Sequence, residues 1–158
     1  GSVVPFFLAR MNEGKIPITD KRMTRFWITL NQGVYFVLNA VESMNGGELF
    51  VPKIPSMNIM DLARTIAPDC EYEIIGIRPG EKLHEMMISQ DDARRTIEFD
   101  DFYVIEPVEQ DWWQPEKIPM LKGGKRCEEN FEYTSDNNDQ WLDEAQLRKL
   151  IELHENDE

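Results

Sequence analysis

The feature that most constrains the fold is an alternation of helical and extended patterns between residues 29 and 77. Apolar side chains recur at helical spacing after Thr29, which forms a capping-box pattern with Gln32, and again over residues 59–66. Two short apolar runs bounded by glycine or proline, residues 48–53 and 72–77, predict strands. The order helix, strand, helix, strand favours an α/β fold, whose loops at the strand ends carry binding sites.

Weaker patterns extend this fold toward both ends of the chain. A short helix is predicted from Pro5 to Met11, another over residues 82–88, and a small hairpin over residues 97–105. Residues 106–130 are rich in proline, charge and tryptophan without a period. A C-terminal helix follows a second capping box, Asp143 with Gln146. We therefore predict a substrate-binding portion, 1–105, and an irregular extension, 106–158, that ends in a helix.

Charge and cysteine content exclude several classes of partner. The chain has 17 basic and 30 acidic residues, a net charge of −13, which makes nucleic acid a poor partner and disfavours general binding to anionic membranes. Cys70 and Cys127 have no close-spaced second thiol, so we expect no metal site. Two free thiols in a reducing cytoplasm are favoured over a disulfide. No stretch is long and apolar enough to span a bilayer.

The most unusual segment is the proline-glycine turn of residues 76–82, which follows a predicted strand. Arg78 offers a planar fork that matches phosphate oxygens, and Glu81 can accept hydrogen bonds from the two hydroxyls of a ribose. The pair would suit a nucleoside diphosphate. The alternative is an ordinary surface ion pair, worth about 0–1 kcal/mol.

A second cation, Arg25, stands beside the aromatic residues Phe26 and Trp27. It can present a guanidinium to phosphate while the rings exclude water, although core packing explains the aromatics equally well. The three tryptophans at 112, 113 and 141 could stack on a sugar, but anchoring the extension is the preferred explanation. His84 is expected to be a structural or surface histidine rather than a base.

The chain contains no pattern for hydride transfer. There is no Gly-x-x-Gly-x-x-Gly turn to seat a dinucleotide, and no tyrosine is followed by lysine four positions on. We therefore assign no catalytic and no cofactor-binding residue to this chain. The chain begins almost at once with an apolar run, Val-Val-Pro-Phe-Phe-Leu at residues 3–8. Such a start is typical of a chain that begins within a longer protein.

Four long segments in the right order resemble one family. They are GSVVPFF at 1–7, PITDKRMTRFWIT at 17–29, GGELFVPKIPSMNIMDLA at 46–63 and IGIRPGEKLHEMMIS at 75–89. These segments, with DDARRT at 91–96 and EYTSDNNDQWL at 132–142, are similar to the polysaccharide-biosynthesis branch of the extended short-chain dehydrogenase/reductases. The nearest likeness is to the inverting UDP-N-acetylglucosamine 4,6-dehydratases.

The resemblance implies an enzyme of which this chain is the substrate-binding C-terminal part. In the family, an N-terminal Rossmann half holds NADP or NAD, oxidises C4 of the sugar, promotes loss of water across C5 and C6, and returns the hydride at C6. This chain would bind no cofactor and would be inactive alone, as an excised or proteolysed fragment of a cytoplasmic dehydratase of surface polysaccharide or glycan biosynthesis. The implied partners are a UDP-sugar, the missing Rossmann half and, when intact, further copies of the enzyme.

The resemblance also implies roles for individual residues. Arg25 and Arg78 would hold the diphosphate, and Glu81 the uridine ribose. The uracil pocket would be lined, through backbone and apolar contact, by Val3, Val4 and Pro5.

Other functions remain open from the sequence. Within the enzyme class, a UDP-sugar 4-epimerase or a dehydratase that retains the C5 configuration would recognise uridine diphosphate similarly. A stand-alone nucleotide-sugar binding module would bind ligand unaided. A purely structural domain would expose the edge of the strand at residues 48–53 and oligomerise through it.

Overall fold

The computed structural model describes residues 3–108 and 121–156. Within them the chain forms short strands and helices in the order α1 Val3–Met11, β1 Lys15–Ile18, β2 Thr24–Phe26, α2 Leu30–Ser43, β3 Leu49–Pro52, β4 Ser56–Asn58, α3 Ile59–Ile66, β5 Glu71–Ile74, β6 Met86–Ile88, α4 Gln90–Ala93, β7 Thr96–Glu98, β8 Phe102–Ile105, β9 Lys125–Arg126, β10 Tyr133–Thr134 and α5 Glu144–Asn156. No helix of the described residues combines the length and apolar composition that crossing a bilayer requires.

The chain divides into two compact units. The first is built from the residues up to Trp27, from Pro55–Glu85 and from Asn138 onward; the second comprises the described parts of Ile28–Ile54 and Met86–Asn137. Each unit thus combines residues from both predicted portions. The predicted division at residue 105 concerns which residues bind substrate, and it stays a prediction.

The first unit is built around a parallel strand pair. β1 pairs with β5, with Ile16 opposite Tyr72, and β2 pairs antiparallel with β4. Helix α3 packs against α1 and α5. The side chains of Ile16, Leu62 and Leu147 are fully buried between these elements. The apolar faces of α1, α3 and α5 therefore meet in a single core.

The second unit contains an antiparallel sheet in the order β3-β8-β7-β9. Phe99, Phe102, Val104 and Leu121 form its core, and the rings of Phe99 and Phe102 stack at a centroid distance of 4.8 Å. A Cβ atom added at Gly124 would lie 2.4 Å from the Phe99 ring, so only glycine allows this close approach. A separate pair, β6 with β10, completes the unit.

Most of the predicted elements are confirmed. Thr29 caps α2 through the predicted capping box with Gln32, and Asp143 and Gln146 exchange the reciprocal bonds that begin α5. The elements β3, α1, α3 and the β7–β8 hairpin also lie where the patterns predict them, and β5 is shorter than the predicted strand. The α/β class is thereby confirmed.

Two predictions of local structure are wrong. Residues 82–88 do not form a helix, because the carbonyls of Lys82 and Leu83 accept from Arg25 instead of from the following turn, and Met86–Ile88 pairs with β10. The predicted loop around Pro17 is strand β1. Proline is tolerated there because β1 lies at an edge of its two-stranded sheet and needs no donor on the open side.

The tryptophan-rich segment is only partly described. Trp112 and Trp113 lie outside the described residues. Trp141 is exposed, and its indole N–H donates to the Asn138 carbonyl at 2.6 Å. Its predicted role as an anchor stays a prediction.

Candidate functional site

The candidate site lies where the two parallel strands of the first unit end. Because β1 and β5 run in the same direction, Thr19 and the segment after Ile74 emerge at the same edge. The Ile75 N–H donates to the Ile18 carbonyl at 2.9 Å, and the Thr19 hydroxyl lies 3.5 Å from Glu81 Oε1. This carboxyl edge is the position at which open α/β sheets bind ligands.

The turn of residues 78–81 holds a carboxylate in a fixed orientation. The Glu81 N–H donates to the Arg78 carbonyl at 3.0 Å, and Glu81 Oε2 accepts from the Arg78 N–H at 3.2 Å. Gly80 has φ of +83°, a left-handed conformation that glycine adopts without strain. The backbone N–H and the carboxylate of Glu81 therefore both hydrogen-bond to the backbone of Arg78, and these two bonds stabilise the turn.

Arg78 presents its charge to solvent. Its side chain is exposed, and its guanidinium forms no hydrogen bond or ion pair with any of the described residues. The contact between Arg78 and Glu81 uses the Arg78 backbone N–H, so a guanidinium–carboxylate surface pair does not form here. Arg78 is thus available to an anionic ligand.

Arg25 is held very differently. Nη1 donates to the carbonyls of Thr24 at 2.6 Å and Leu83 at 3.1 Å; Nη2 donates to the Lys82 carbonyl and to Met23 Sδ, both at 3.0 Å. Nε lies 3.6 Å from Glu85 Oε1. The four N–H groups of Nη1 and Nη2 thus have hydrogen-bond partners, and Nε contributes an ion pair with Glu85.

Three further contacts join β2 to the same segment. The Thr24 hydroxyl lies 2.8 Å from His84 Nδ1, and the Thr24 N–H donates to the Leu83 carbonyl at 3.2 Å. The Phe26 N–H donates to Glu85 Oε2 at 3.1 Å. His84 therefore has the structural contact that the sequence favours.

Asp20 and Arg22 form a pair beside the site that the sequence did not single out. Asp20 accepts from the Arg22 backbone N–H at 2.8 Å and from its Nε at 3.0 Å and Nη2 at 2.8 Å. These hydrogen bonds lower the pKa of Asp20 from 3.8 to about 2. The spacing of an acid and an arginine two residues apart after a strand was the only signal available.

The residues expected to line a uracil pocket lie on the first turn of α1. Val4 is buried in the core, Val3 is half-buried and Pro5 is exposed. Helix α1 packs against β1 and is joined to it by residues 12–14, so the start of α1 lies at the same end as Thr19. At Val4 only the backbone can face a ligand. Trp27 packs against the core of the first unit, which agrees with core packing as the explanation for this aromatic residue.

The sequence has neither the glycine turn nor the tyrosine–lysine spacing of a dinucleotide site, and the expectation that this chain binds no cofactor stays a prediction. The described residues contain no cluster of three metal-ligating side chains. The geometry supports binding of an anionic, hydroxyl-bearing ligand, and we derive no chemical step from it.

The fold and the strand-end site define an α/β portion of the short-chain dehydrogenase/reductase type. Residues 1–107 match the family described as polysaccharide biosynthesis protein, and the chain belongs to that family.

The relatives are longer proteins. The chain is 51% identical to UDP-N-acetylglucosamine 4,6-dehydratase (inverting) of Campylobacter jejuni subsp. jejuni serotype O:2, over 96% of this chain and 47% of that protein. It is 36% identical to UDP-glucose 4-epimerase of Rickettsia rickettsii, over 66% of this chain and 32% of that protein. The X-ray structure of Pen from Bacillus thuringiensis superposes with a TM-score of 0.76 at 31% identity, over 97% of this chain and 45% of that one. The chain thus spans about half the length of the dehydratase.

Proposed function

We propose that this chain is the UDP-sugar-binding part of an inverting UDP-N-acetylglucosamine 4,6-dehydratase of bacterial surface polysaccharide or glycan biosynthesis. The observation that carries the proposal is the turn that follows β5, where the exposed Arg78 and the hydrogen-bonded carboxylate of Glu81 lie three positions apart. The 51% identity to a dehydratase across nearly the whole chain supports the same substrate class.

Each group of the site has a role that its chemistry suits. The guanidinium of Arg78 can donate two parallel hydrogen bonds to the diphosphate, which a lysine could not do with the same geometry. Glu81 keeps unused lone pairs on both oxygens and can accept from the ribose hydroxyls. The backbone at the start of α1, from Val3 to Pro5, would lie against the uracil.

Catalysis would require the half of the relatives that this chain does not match. We infer that this other half supplies the acid, base and tyrosine and binds NADP or NAD, and that the chain alone is inactive. We place the enzyme in the cytoplasm, as a homo-oligomer when intact.

The second unit offers a surface for this other half. Helix α2 buries none of its residues, while Phe36 on one side packs toward the sheet. The opposite stripe is apolar and exposed, with Leu30 83% exposed; its members are Leu30, Val34, Val37, Leu38, Val41 and Met44. Strand β3, which follows, leaves one edge unpaired within the described residues. We propose that the rest of the longer enzyme covers this apolar stripe and pairs with the β3 edge.

A buried acid at the same place supports this proposal. Glu48 lies between α2 and β3 and is 5% exposed. Its Oε1 accepts from the Asn45 N–H, whereas Oε2 has no hydrogen-bond partner among the described residues. Because buried carboxylate oxygens are normally paired, a donor from the covering half would complete the site.

A second candidate is the UDP-sugar-binding part of a 4-epimerase. The match to UDP-glucose 4-epimerase favours it, but that match is weaker and shorter than the match to the dehydratase. Both enzymes would use Arg78 and Glu81 for the UDP moiety, so they differ in the sugar rather than in the site described here.

The proposal is tested by calorimetric titration of the chain with UDP-N-acetylglucosamine, UDP and UMP. Arg78→Ala should raise the Kd for UDP about 10- to 100-fold, the loss expected for a charge-assisted contact worth about 1.5–3 kcal/mol, and should affect UMP less. Arg148→Ala removes another exposed arginine, which lies on α5, and serves as the matched control. Glu81→Gln should reduce the preference for UDP over its 2′-deoxy analogue. Unchanged UDP affinity in the Arg78 variant would refute the site.

A further inference from the structure

The charge around the candidate site differs in sign from the charge of the whole chain. The chain carries a net charge of −13. Residues 19–25 and 78–85, which surround the ends of β1 and β5, contain five basic and three acidic residues. An anionic ligand that approaches this chain is therefore repelled by its overall charge and attracted by the charge at the site.

Two of the three acidic residues at the site are paired with arginines of the same segments. Asp20 Oδ2 accepts from Arg22 Nη2 at 2.8 Å. Glu85 Oε1 lies 3.6 Å from Arg25 Nε. Because the opposite charges of each pair lie so close together, their fields largely cancel at longer distances. Glu81 is the one acid of these two segments that is not paired with an arginine guanidinium.

Three cations remain to set against the Glu81 carboxylate. The side chains of Lys21, Arg78 and Lys82 are all exposed. Lys21 and Lys82 accept hydrogen bonds only through their backbone carbonyls, from Asn58 at 3.2 Å and from Arg25 at 3.0 Å. Within residues 3–108 and 121–156, neither lysine ammonium group forms a hydrogen bond or an ion pair. The local charge of the site is therefore positive.

The two lysines lie beside the proposed ligand-binding groups without taking part in their geometry. Lys21 follows Thr19 by two positions and Lys82 directly follows Glu81, and the Thr19 hydroxyl lies 3.5 Å from Glu81 Oε1. The bonds that stabilise the turn join Arg78 to Glu81 and use neither lysine side chain. A lysine ammonium is a strongly hydrated point charge on a flexible stem, which suits attraction over a distance.

We propose that Lys21 and Lys82 form a steering patch, which speeds the arrival of anionic nucleotides at the site and favours diphosphates over monophosphates. The inference rests on the proposed function for the identity of the ligand, whereas the positive local potential is a property of the ligand-free chain. Attraction of this kind acts before contact, so it changes the association rate and leaves the dissociation rate nearly unchanged. It weakens with salt, since the Debye length falls from about 30 Å at 0.01 M to about 10 Å at 0.1 M.

The first part of the experiment measures the potential without any nucleotide. Amide relaxation is compared by NMR in the presence of an anionic and a cationic nitroxide of the same size. We expect the anionic nitroxide to be enriched at the amides of residues 19–22 and 78–82 and depleted over the rest of the described chain. Lys21→Ala/Lys82→Ala should abolish most of this enrichment. Lys125→Ala/Lys149→Ala removes the same charge from exposed positions elsewhere and should preserve it.

The second part measures the kinetics of UDP binding by NMR line-shape analysis of titrations at low and high salt. At about 0.01 M salt the Lys21→Ala/Lys82→Ala variant should bind UDP about 5- to 20-fold more slowly, with an unchanged dissociation rate. The effect should be smaller for UMP and absent for uridine. At about 0.3 M salt it should fall below about twofold.

Other outcomes would overturn the steering patch. An anionic nitroxide depleted at the site of the wild type would do so, as would an association rate that the control variant lowers equally. A faster dissociation rate in the Lys21→Ala/Lys82→Ala variant would replace steering by direct contact with the ligand. If the wild type binds no UDP while the anionic nitroxide is enriched at the site, the patch is supported and the proposed function fails.

Discussion

The hydroxyl of Tyr133 provides a sharp test of how the second unit is held together. Tyr133 begins β10 and is 5% exposed. Its oxygen donates to the Ile54 carbonyl and accepts from the Ile54 N–H, both at 2.9 Å, across 79 positions of sequence. The ring packs 5.2 Å from the Tyr103 ring. Tyr133→Phe removes one oxygen and leaves the apolar packing in place.

The expected cost follows from these two bonds. Each typical hydrogen bond contributes about 1 kcal/mol net, and a buried backbone group deprived of its partner loses up to about 3 kcal/mol. Two bonds to one buried residue therefore predict a loss of about 2–4 kcal/mol in the free energy of unfolding. In urea, with a slope of about 2 kcal/mol/M, the midpoint should fall by about 1–2 M.

The assay is equilibrium urea unfolding followed by fluorescence and circular dichroism, with Tyr35→Phe as the control. Tyr35 lies on α2 and is 69% exposed, so its hydroxyl should be dispensable. An unchanged slope with a lowered midpoint only in the Tyr133 variant would agree with the reasoning. A loss below about 0.5 kcal/mol would refute it, because the two bonds would then contribute nothing beyond what solvent provides.

Three further predictions concern charge, thiol reactivity and association. The pKa of Asp20, about 2, should rise toward 3.8 in Arg22→Ala by NMR titration; in wild type the stability from this carboxylate is present above pH 3.8 and lost as the pH falls through about 2. Burial and the nearby Glu98 raise the pKa of Cys127 from 9.0 to about 11, so at pH 8 its thiolate fraction should be about 100-fold below that of an ordinary thiol and its alkylation correspondingly slow by mass spectrometry. Leu38 belongs to the exposed apolar stripe of α2 and is 54% exposed. Leu38→Glu should therefore reduce the concentration-dependent association of the chain, measured by sedimentation, without lowering the urea midpoint.

The elements that the sequence predicted are those whose signals are local. The Thr29 and Asp143 capping boxes each involve residues three positions apart, so the pattern and the bonds coincide. The β7–β8 hairpin turns at two aspartates between short apolar strands, and the Phe99 N–H donates to the Phe102 carbonyl at 2.9 Å to close it. In each case the hydrogen bonds that stabilise the element join residues only a few positions apart, so a short stretch of sequence contains all the partners.

The strands that were missed depend on distant partners. β1, β2, β4 and β6 are as short as the predicted strands but lack the continuous apolar run, bounded by glycine or proline, that predicted β3. β1 exists because it pairs with β5, more than 50 positions away, and β2 because it pairs with β4. Pairing of this kind is decided by tertiary structure, which overrides the weak preference of such short segments.

The candidate site shows the same division between local and distant information. Arg78 and Glu81 were identified because a proline-glycine turn after an apolar run carries its own signal, and the turn forms its bonds within four residues. Arg25 was identified by its charge and its aromatic neighbours, but these do not indicate which acceptors its guanidinium N–H groups would bind. Its partners at Lys82 and Leu83 become neighbours only when β2 and the end of β5 fold into one unit. Two arginines that the sequence treated alike therefore differ in the structure: the Arg78 guanidinium is exposed, and the Arg25 guanidinium donates to backbone carbonyls.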